Sequence, residues 1–434
     1  MSQTALITLL SILLLTGGFL GGGPKNAPSH TDAPAVISTQ NERPGVIRAN
    51  KVSVHEVPRS DEVIATLVRG DSLTVLDETN GWYRVRLANG QVGYVNTFAV
   101  STSHTSNTQA RRGKYDVVAY YVTDSLRPSG PSLRENLDVI TTLVPWMWEV
   151  LPSGYMNLSF DARDVGQALR VAGENGLKSL ALVHNIRQTQ SGEVNFDVSL
   201  SHAVLANAQS RQNAVEDIYR VLREWDMSGV HIDFEMVLPS DRQNLNLFIK
   251  ALSERLGPAG LSVTIAVPSK TYNDISSTWA GGFDYGTIGQ YVDQMMLMTY
   301  DEHWRGGPPG PVASIGWVER VVRYAISTGV PPEKIVLGIP AYGYDWPASG
   351  RGRSVTYRQA MELASAHGAR IQWDDVAKVP YFKYGAGRTV YFEDRSSVSH
   401  KIELVKKYGL AGISLWRLGQ EDPGIWSVIR NNLV

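Results

Sequence analysis

From Tyr115 onward, eight short apolar runs alternate with longer amphipathic stretches, and this alternation restricts the architecture more than any other feature of the chain. The runs are YDVVAYYV, DVITTLVPWMW, LKSLALVHN, GVHIDFE, LSVTIAVP, VDQMMLMTYD, KIVLGIPAYGY and AGISLWRLG. Each is short and rich in Val, Ile, Leu or Met, the pattern of a strand covered on both faces, as in a parallel sheet. The intervening stretches have helical period. In AVEDIYRVLREW, Val215, Ile218, Leu222 and Trp225 form a single apolar stripe. Eight such units over about 320 residues predict an α/β chain folded as a (β/α)8 barrel, the TIM barrel. An open doubly wound sheet is the other arrangement of these units, but no glycine-rich phosphate loop follows the first strand. Roughly seventy residues separate the seventh and eighth strands and read as a helix, two strands and a closing helix. That places a small α+β insertion above the C-terminal rim, as a wall of a cleft.

Upstream the period changes. Between Val46 and Ser101, DSLTVLD, GWYRVRL, QVGYVN and FAV alternate apolar and polar residues, with hairpin turns expected at Asn80-Gly81 and Asn89-Gly90. A small all-β barrel is expected there. Residues 24–45 and 102–114, rich in Pro, Ser, Thr and Asn, read as flexible tethers on either side, so the catalytic-sized unit spans 115–434. Residues 1–23 hold an apolar run from Ala5 to Leu20, the length of a signal-peptide core and short for a membrane span. No Lys or Arg precedes the run and no Ala-x-Ala site follows closely. Export is expected, with the segment cleaved or kept as a membrane anchor; a buried helix is the alternative. The 41 basic and 42 acidic residues leave a net charge of −1, with no basic field to attract nucleic acid. Cysteine is absent, which removes disulfides, thiolate zinc sites and a cysteine nucleophile together.

The fourth run, SGVHIDFEMV, carries Asp233 and Glu235 two residues apart among apolar neighbours. In a strand such residues share a face with Cα atoms roughly 6–7 Å apart. At the end of the fourth strand they sit at the barrel mouth, where two carboxylates in a partly desolvated site cannot both ionise freely. One then keeps its proton and becomes a candidate acid. A pair of salt-bridged rim residues is the bland alternative. Tyr300 and Asp301 end the sixth run and Trp416 the eighth, so a phenol, carboxylates and an indole meet at one mouth, a composition suited to a sugar. Further rim candidates for sugar contact are Tyr120 and Tyr121 on the first strand, Trp146 and Trp148 on the second, Asn185 on the third, and Tyr342 and Tyr344 on the seventh.

These motifs resemble glycoside hydrolase family 18, the chitinase-like family, over Tyr115 to Val434. Its fourth-strand signature Asp-Gly-x-Asp-x-Asp-x-Glu aligns with Gly229, Asp233 and Glu235, its Met-x-Tyr-Asp with Met298, Tyr300 and Asp301, and its eighth-strand Trp with Trp416. The pieces PGPVASIGWV and YFED…K…YGLAGISLWRLG are similar to the spore and cell-wall branch. Two signature acids are missing, replaced by Ser228 and His231. A histidine beside Asp233 titrating near neutrality would modulate the pH profile; a core histidine paired to a neighbouring carboxylate is the other reading of His231. The segment GWYRVRLANGQVGYVNTFAV resembles the end of a bacterial SH3-like domain, with Trp82 and Tyr94 in packing or groove positions, which implies a cell-wall peptide or polymer as partner.

The resemblance implies retaining, substrate-assisted hydrolysis of an N-acetylglucosamine glycan. Glu235 would be acid and base, Asp233 would hold the substrate's acetamido group, and Tyr300 would bind its carbonyl, with Asp301 in support. No cofactor or metal is called for, and nothing like His-Glu-x-x-His is present. Peptidoglycan of wall or spore cortex is the expected substrate, chitin the nearest rival, and non-hydrolytic sugar binding the reading from another class.

Overall fold

The computed structural model describes residues 42–47, 51–58, 60, 62–79, 82–96, 99–102, 113–124, 126–159, 162–188 and 194–434. The expected leader, nearly all of both tethers and the Asn80-Gly81 turn lie outside the described residues. Among the described residues no helix is long and apolar enough to cross a membrane.

The eight apolar runs form eight parallel strands: β1 Asp116–Tyr121, β2 Thr142–Val150, β3 Lys178–His184, β4 Gly229–Asp233, β5 Ser262–Pro268, β6 Gln294–Met298, β7 Ile335–Pro340 and β8 Gly412–Trp416. They pair in chain order, and β8 pairs with β1 to close the barrel, Gly412 opposite Asp116. Glycine is required there: a Cβ on Gly412 would lie 1.9 Å from the Asp116 carbonyl oxygen. Alternation sorts the side chains into two layers. Val117, Leu143, Val183, Ile232, Ile265, Leu297, Leu337 and Ile413 point outward and pack under the helices, with Val215, Ile218 and Leu222 of the Ala208–Glu224 helix among their partners. Val118, Val144, Leu180, Leu182, Met296 and Val336 fill the inside, beneath Tyr120, Trp146 and Trp416.

One break in alternation moves a candidate residue. Leu182 lies opposite Trp146 but Val183 lies opposite Trp148, so Met147 is an extra residue in β2. Such a bulge shifts the face of everything after it. Trp148 therefore turns outward into the layer under the helices, edge-on to Trp225 at 5.5 Å, and not toward the mouth where a strict two-residue period had put it.

The insertion is larger than expected. β7 stops at Pro340, and Tyr342–Trp346 opens a five-stranded antiparallel sheet with Arg353–Thr356, Arg388–Tyr391, Val379–Tyr384 and Gln372–Asp374. The continuous run KIVLGIPAYGY conceals that change of sheet. Proline at position 340 brings no N–H, and the Ala341 N–H goes to the Trp416 carbonyl at 2.7 Å, turning the chain out of the barrel. Tyr342 and Tyr344 thus belong to the insertion and not to the end of β7. Asp345, fully buried, ties the sheet together by accepting from Arg353, Tyr384 and Arg388 at 2.8–2.9 Å.

The upstream segment is a seven-stranded antiparallel sheet around Val54, Val75, Tyr83, Val85 and Val95. On it Trp82 stands edge-on to His55 at 5.4 Å. Trp225, the last residue of the helical stripe, packs against this small core as well as the barrel's outer layer, and Arg69 pairs with Asp226 beside it. The two domains meet at the end of one helix.

Candidate active site

The site is built outward from β4. Val230, Ile232 and Phe234 belong to the outer layer, so His231, Asp233 and Glu235 face inward. Gly229 begins the strand because its Cα runs against β5; a Cβ there would sit 2.3 Å from the Ser262 carbonyl oxygen. Asp233 and Glu235 are 5 % and 4 % exposed, and among the described residues neither has a salt-bridge partner. Glu235 Oε2 is buried and has no hydrogen-bond partner among the described residues. Buried polar atoms are almost always paired in proteins, so an orphan carboxyl oxygen at a barrel mouth is an exception that needs a reason.

Asp301 follows Tyr300 after β6, held in a left-handed conformation with φ 60°. Its Oδ1 accepts from the Tyr342 and Tyr344 hydroxyls at 2.6 and 2.9 Å. The insertion thereby contributes two phenols to the acid cluster. Burial first, then Tyr120 and the neighbouring carboxyls, push the Tyr300 phenol well above its usual range, so it stays protonated. The floor is aromatic. Trp416 lies 4.9 Å from Trp146 and 5.1 Å from Tyr120, ring centre to ring centre.

Three carboxyls in one desolvated volume titrate as a set. Burial raises Asp233 to about 7. Burial, and then the charges of Asp233 and Asp301, push Glu235 well above the ordinary carboxylate range. Burial lifts Asp301 to about 6, opposed by its two phenol bonds and by the charge of Arg305. Of the three, Glu235 has burial and two neighbouring carboxyl charges all favouring its protonated form. The pair can supply an acid and a hydrogen-bond acceptor side by side.

Three of the expected residues have their polar atoms engaged within the protein. His231 neither titrates near neutrality nor pairs with a carboxylate. The Thr264 hydroxyl donates to the Val230 carbonyl at 3.0 Å and so accepts from His231 Nδ1 at 2.8 Å, which leaves Nε2 to accept from the Tyr120 hydroxyl at 2.9 Å. Full burial then keeps the ring neutral, its pKa lowered to about 3. Both ends of the Asn185 amide are engaged by backbone, chiefly that of Glu235. Tyr121 also turns away, donating to Asp164 at 2.9 Å on the outer side of β1.

His184, which sequence reasoning passed over, stands opposite Asp233 on β3. The Ser159 hydroxyl donates to the Met147 carbonyl at 2.9 Å, so His184 Nε2 donates to Ser159 at 3.1 Å while Nδ1 accepts from the Ile186 N–H at 3.1 Å. It too is neutral, lowered to about 3 by burial. Both rings should therefore hold constant ring-nitrogen shifts in NMR spectra of histidine-labelled protein from about pH 5 to pH 8.5, with His231 protonated on Nδ1 and His184 on Nε2. A titrating His231 signal would return it to the role of pH modulator. Arg305 was also missed. It sits in the loop after Asp301, outside any periodic pattern, and only the folded chain brings its charge to Asp301 and Tyr344.

Comparison with known proteins places this geometry in context. Residues 190–421 match the model of glycosyl hydrolases family 18, and residues 50–101 match the bacterial SH3 domain. The Bacillus subtilis protein YdhD, named as a sporulation-specific glycosylase, is 37 % identical over 268 residues, 60 % of this chain and 62 % of that protein. The cortical fragment-lytic enzyme of Bacillus anthracis is 29 % identical over 324 residues, covering 71 % of this chain and 73 % of the relative. Among solved structures, the Bacillus cereus spore cortex-lytic enzyme SleL superposes with a TM-score of 0.68 at 25 % identity, over 86 % of this chain and 90 % of that one. A chitinase from Chromobacterium violaceum has the same TM-score at 29 % identity, over 73 % of this chain and 98 % of its own.

Proposed function

The chain belongs to glycosyl hydrolases family 18, and we propose that it cleaves the β-1,4 bond following N-acetylglucosamine in peptidoglycan, of cell wall or spore cortex, with retention and with help from the substrate's own amide. The observation that carries this reading is the buried Glu235, its pKa raised by burial and neighbouring carboxyls, with Oε2 unpartnered among the described residues and its side chain facing inward like that of Asp233.

In the first step Glu235 gives its proton to the glycosidic oxygen as the bond from that oxygen to the anomeric carbon breaks. The 2-acetamido carbonyl oxygen of the same sugar bonds to the anomeric carbon from the other face, giving an oxazolinium. Asp233 accepts from the acetamido N–H and steadies the positive charge, while Tyr300, fully protonated, donates to the acetamido oxygen. The Asp301 carboxylate, fixed by Tyr342 and Tyr344, adds negative potential beside them. In the second step Glu235, now a carboxylate, removes a proton from water whose oxygen attacks the anomeric carbon. The oxazolinium opens and the acid is restored. Trp416, with Trp146 beneath it, offers the apolar platform on which a pyranose face stacks.

The small domain supports a wall polymer over chitin, since it pairs a glycan-cleaving barrel with a module whose family is bacterial. The cortex-lytic relatives point the same way. Secretion or surface attachment of the chain follows from that substrate. Purified spore cortex, vegetative wall and chitin oligomers digested in parallel provide the test. New N-acetylglucosamine reducing ends from cortex or wall are expected. Release from chitin oligomers alone would make the chain a chitinase, and release from none would make it a binding protein.

A further inference from the structure

β3 ends at His184 and β4 at Asp233, so Glu235 lies beyond the ladder that fixes the rest of its strand. Its peptide is nonetheless paired on both sides. The Glu235 N–H donates to Asn185 Oδ1 at 2.9 Å, and the Glu235 carbonyl accepts from Asn185 Nδ2 at 3.0 Å. One planar amide reproduces the two bonds that a neighbouring strand would have supplied. The same Nδ2 donates to the Asp197 carbonyl at 3.1 Å, and the Asp197 N–H returns to the Asn185 carbonyl at 2.8 Å. Asn185 is fully buried, and the side chain of Asp197 caps the helix Val198–Ala206 that follows it. The clamp is thus anchored to a second element.

The need for a clamp is local. Directly after Glu235 the chain turns through Met236 at φ 56°, a conformation uncommon for a residue with a side chain. A peptide ahead of such a turn, with no strand beside it, would rock, and the Glu235 carboxyl would rock with it. We propose that Asn185 is a positioning residue for Glu235, completing the β3–β4 ladder with its side chain so that the acid is held at a fixed height above Asp233. The catalytic part of this inference rests on the hydrolytic reading above; the positioning part does not. At neutral pH no other side chain here replaces it. A carboxylate lacks the donor, leucine lacks both groups, and glutamine carries the amide about 1.5 Å too far.

Misplacement of a reacting group by about 1 Å costs about a hundredfold in rate. Asn185→Ala and Asn185→Leu are therefore expected to lower kcat ten- to a hundredfold on the glycan the wild type cleaves, with KM changed less than twofold. Asn185→Asp should retain activity at acid pH, where a protonated carboxyl can still donate, and lose it as the pH rises. Amide hydrogen exchange, read on the same proteins, should quicken at least tenfold at Glu235 and Met236 in the Ala variant and stay unchanged at Val230 and Ile232. Unchanged exchange at Glu235, or loss of protection along all of β4, would overturn the positioning role. A wild type that cleaves neither glycan would remove the hydrolytic reading, and exchange at Glu235 would still decide the role of Asn185.

Discussion

Glu235→Gln is expected to lower kcat roughly a thousandfold on whichever glycan the wild type cleaves, with KM nearly unchanged. The amide copies the shape and neutrality of the protonated acid, so substrate should be bound as before. What disappears is the proton for the leaving oxygen, and later the base for water. The pH profile makes the test specific. Burial and the charges of Asp233 and Asp301 raise Glu235, so the alkaline limb of kcat/KM in the wild type reports its deprotonation, coupled to theirs. The glutamine variant should retain a small residual rate without that limb. Reducing-end release measured between about pH 5 and pH 9 reads both effects. Wild-type turnover in the glutamine protein would assign the acid to another residue.

Asp233→Asn should move activity and stability in opposite directions. Turnover is expected to fall about a hundredfold or more, because an amide cannot hold the acetamido N–H or offset the charge on the oxazolinium. Stability should rise. Burial lifts the Asp233 carboxyl from its ordinary 3.8 to about 7 in the folded protein. Between those values the native state binds more protons than the unfolded one, so wild-type stability falls as pH rises through the interval. Asparagine carries no such penalty. The variant should therefore match the wild type near pH 4 and exceed it in Tm by roughly 2–4 °C above pH 7. Calorimetry at both pH values checks the sign. A lower Tm for the variant at pH 8 would mean that the aspartate is stabilised by a partner and is not the strained acid of this site.

The barrel was legible because a strand covered on both faces leaves an unmistakable run, and eight of them leave little choice of closure. Asp233, Glu235, Tyr300 and Trp416 were legible for the same reason: alternation along a strand states which residues reach the mouth. The failures occur where that rule stops. At β2 a single extra residue, Met147, turned Trp148 outward, and no local composition announces a bulge. At Pro340 an apolar run crossed from one sheet to another without a polar break. Asn185 and His231 were placed on the right face, but their protein partners were not legible. Whether a buried polar side chain meets substrate or backbone depends on partners distant in sequence, Glu235 for the first, Tyr120 and Thr264 for the second. Arg305, on a loop, offered no period at all.

The two phenols on Asp301 bear on how the cleft moves. Tyr342 and Tyr344 are part of the insertion sheet, whereas Asp301 is part of the barrel, so their hydroxyls act as rivets across the seam between wall and base. Swinging the wall outward as a hinged lid would break two hydrogen bonds to a buried carboxylate, each worth about 1.5–3 kcal/mol. The two bonds therefore favour the docked position of the wall over a swung-out one.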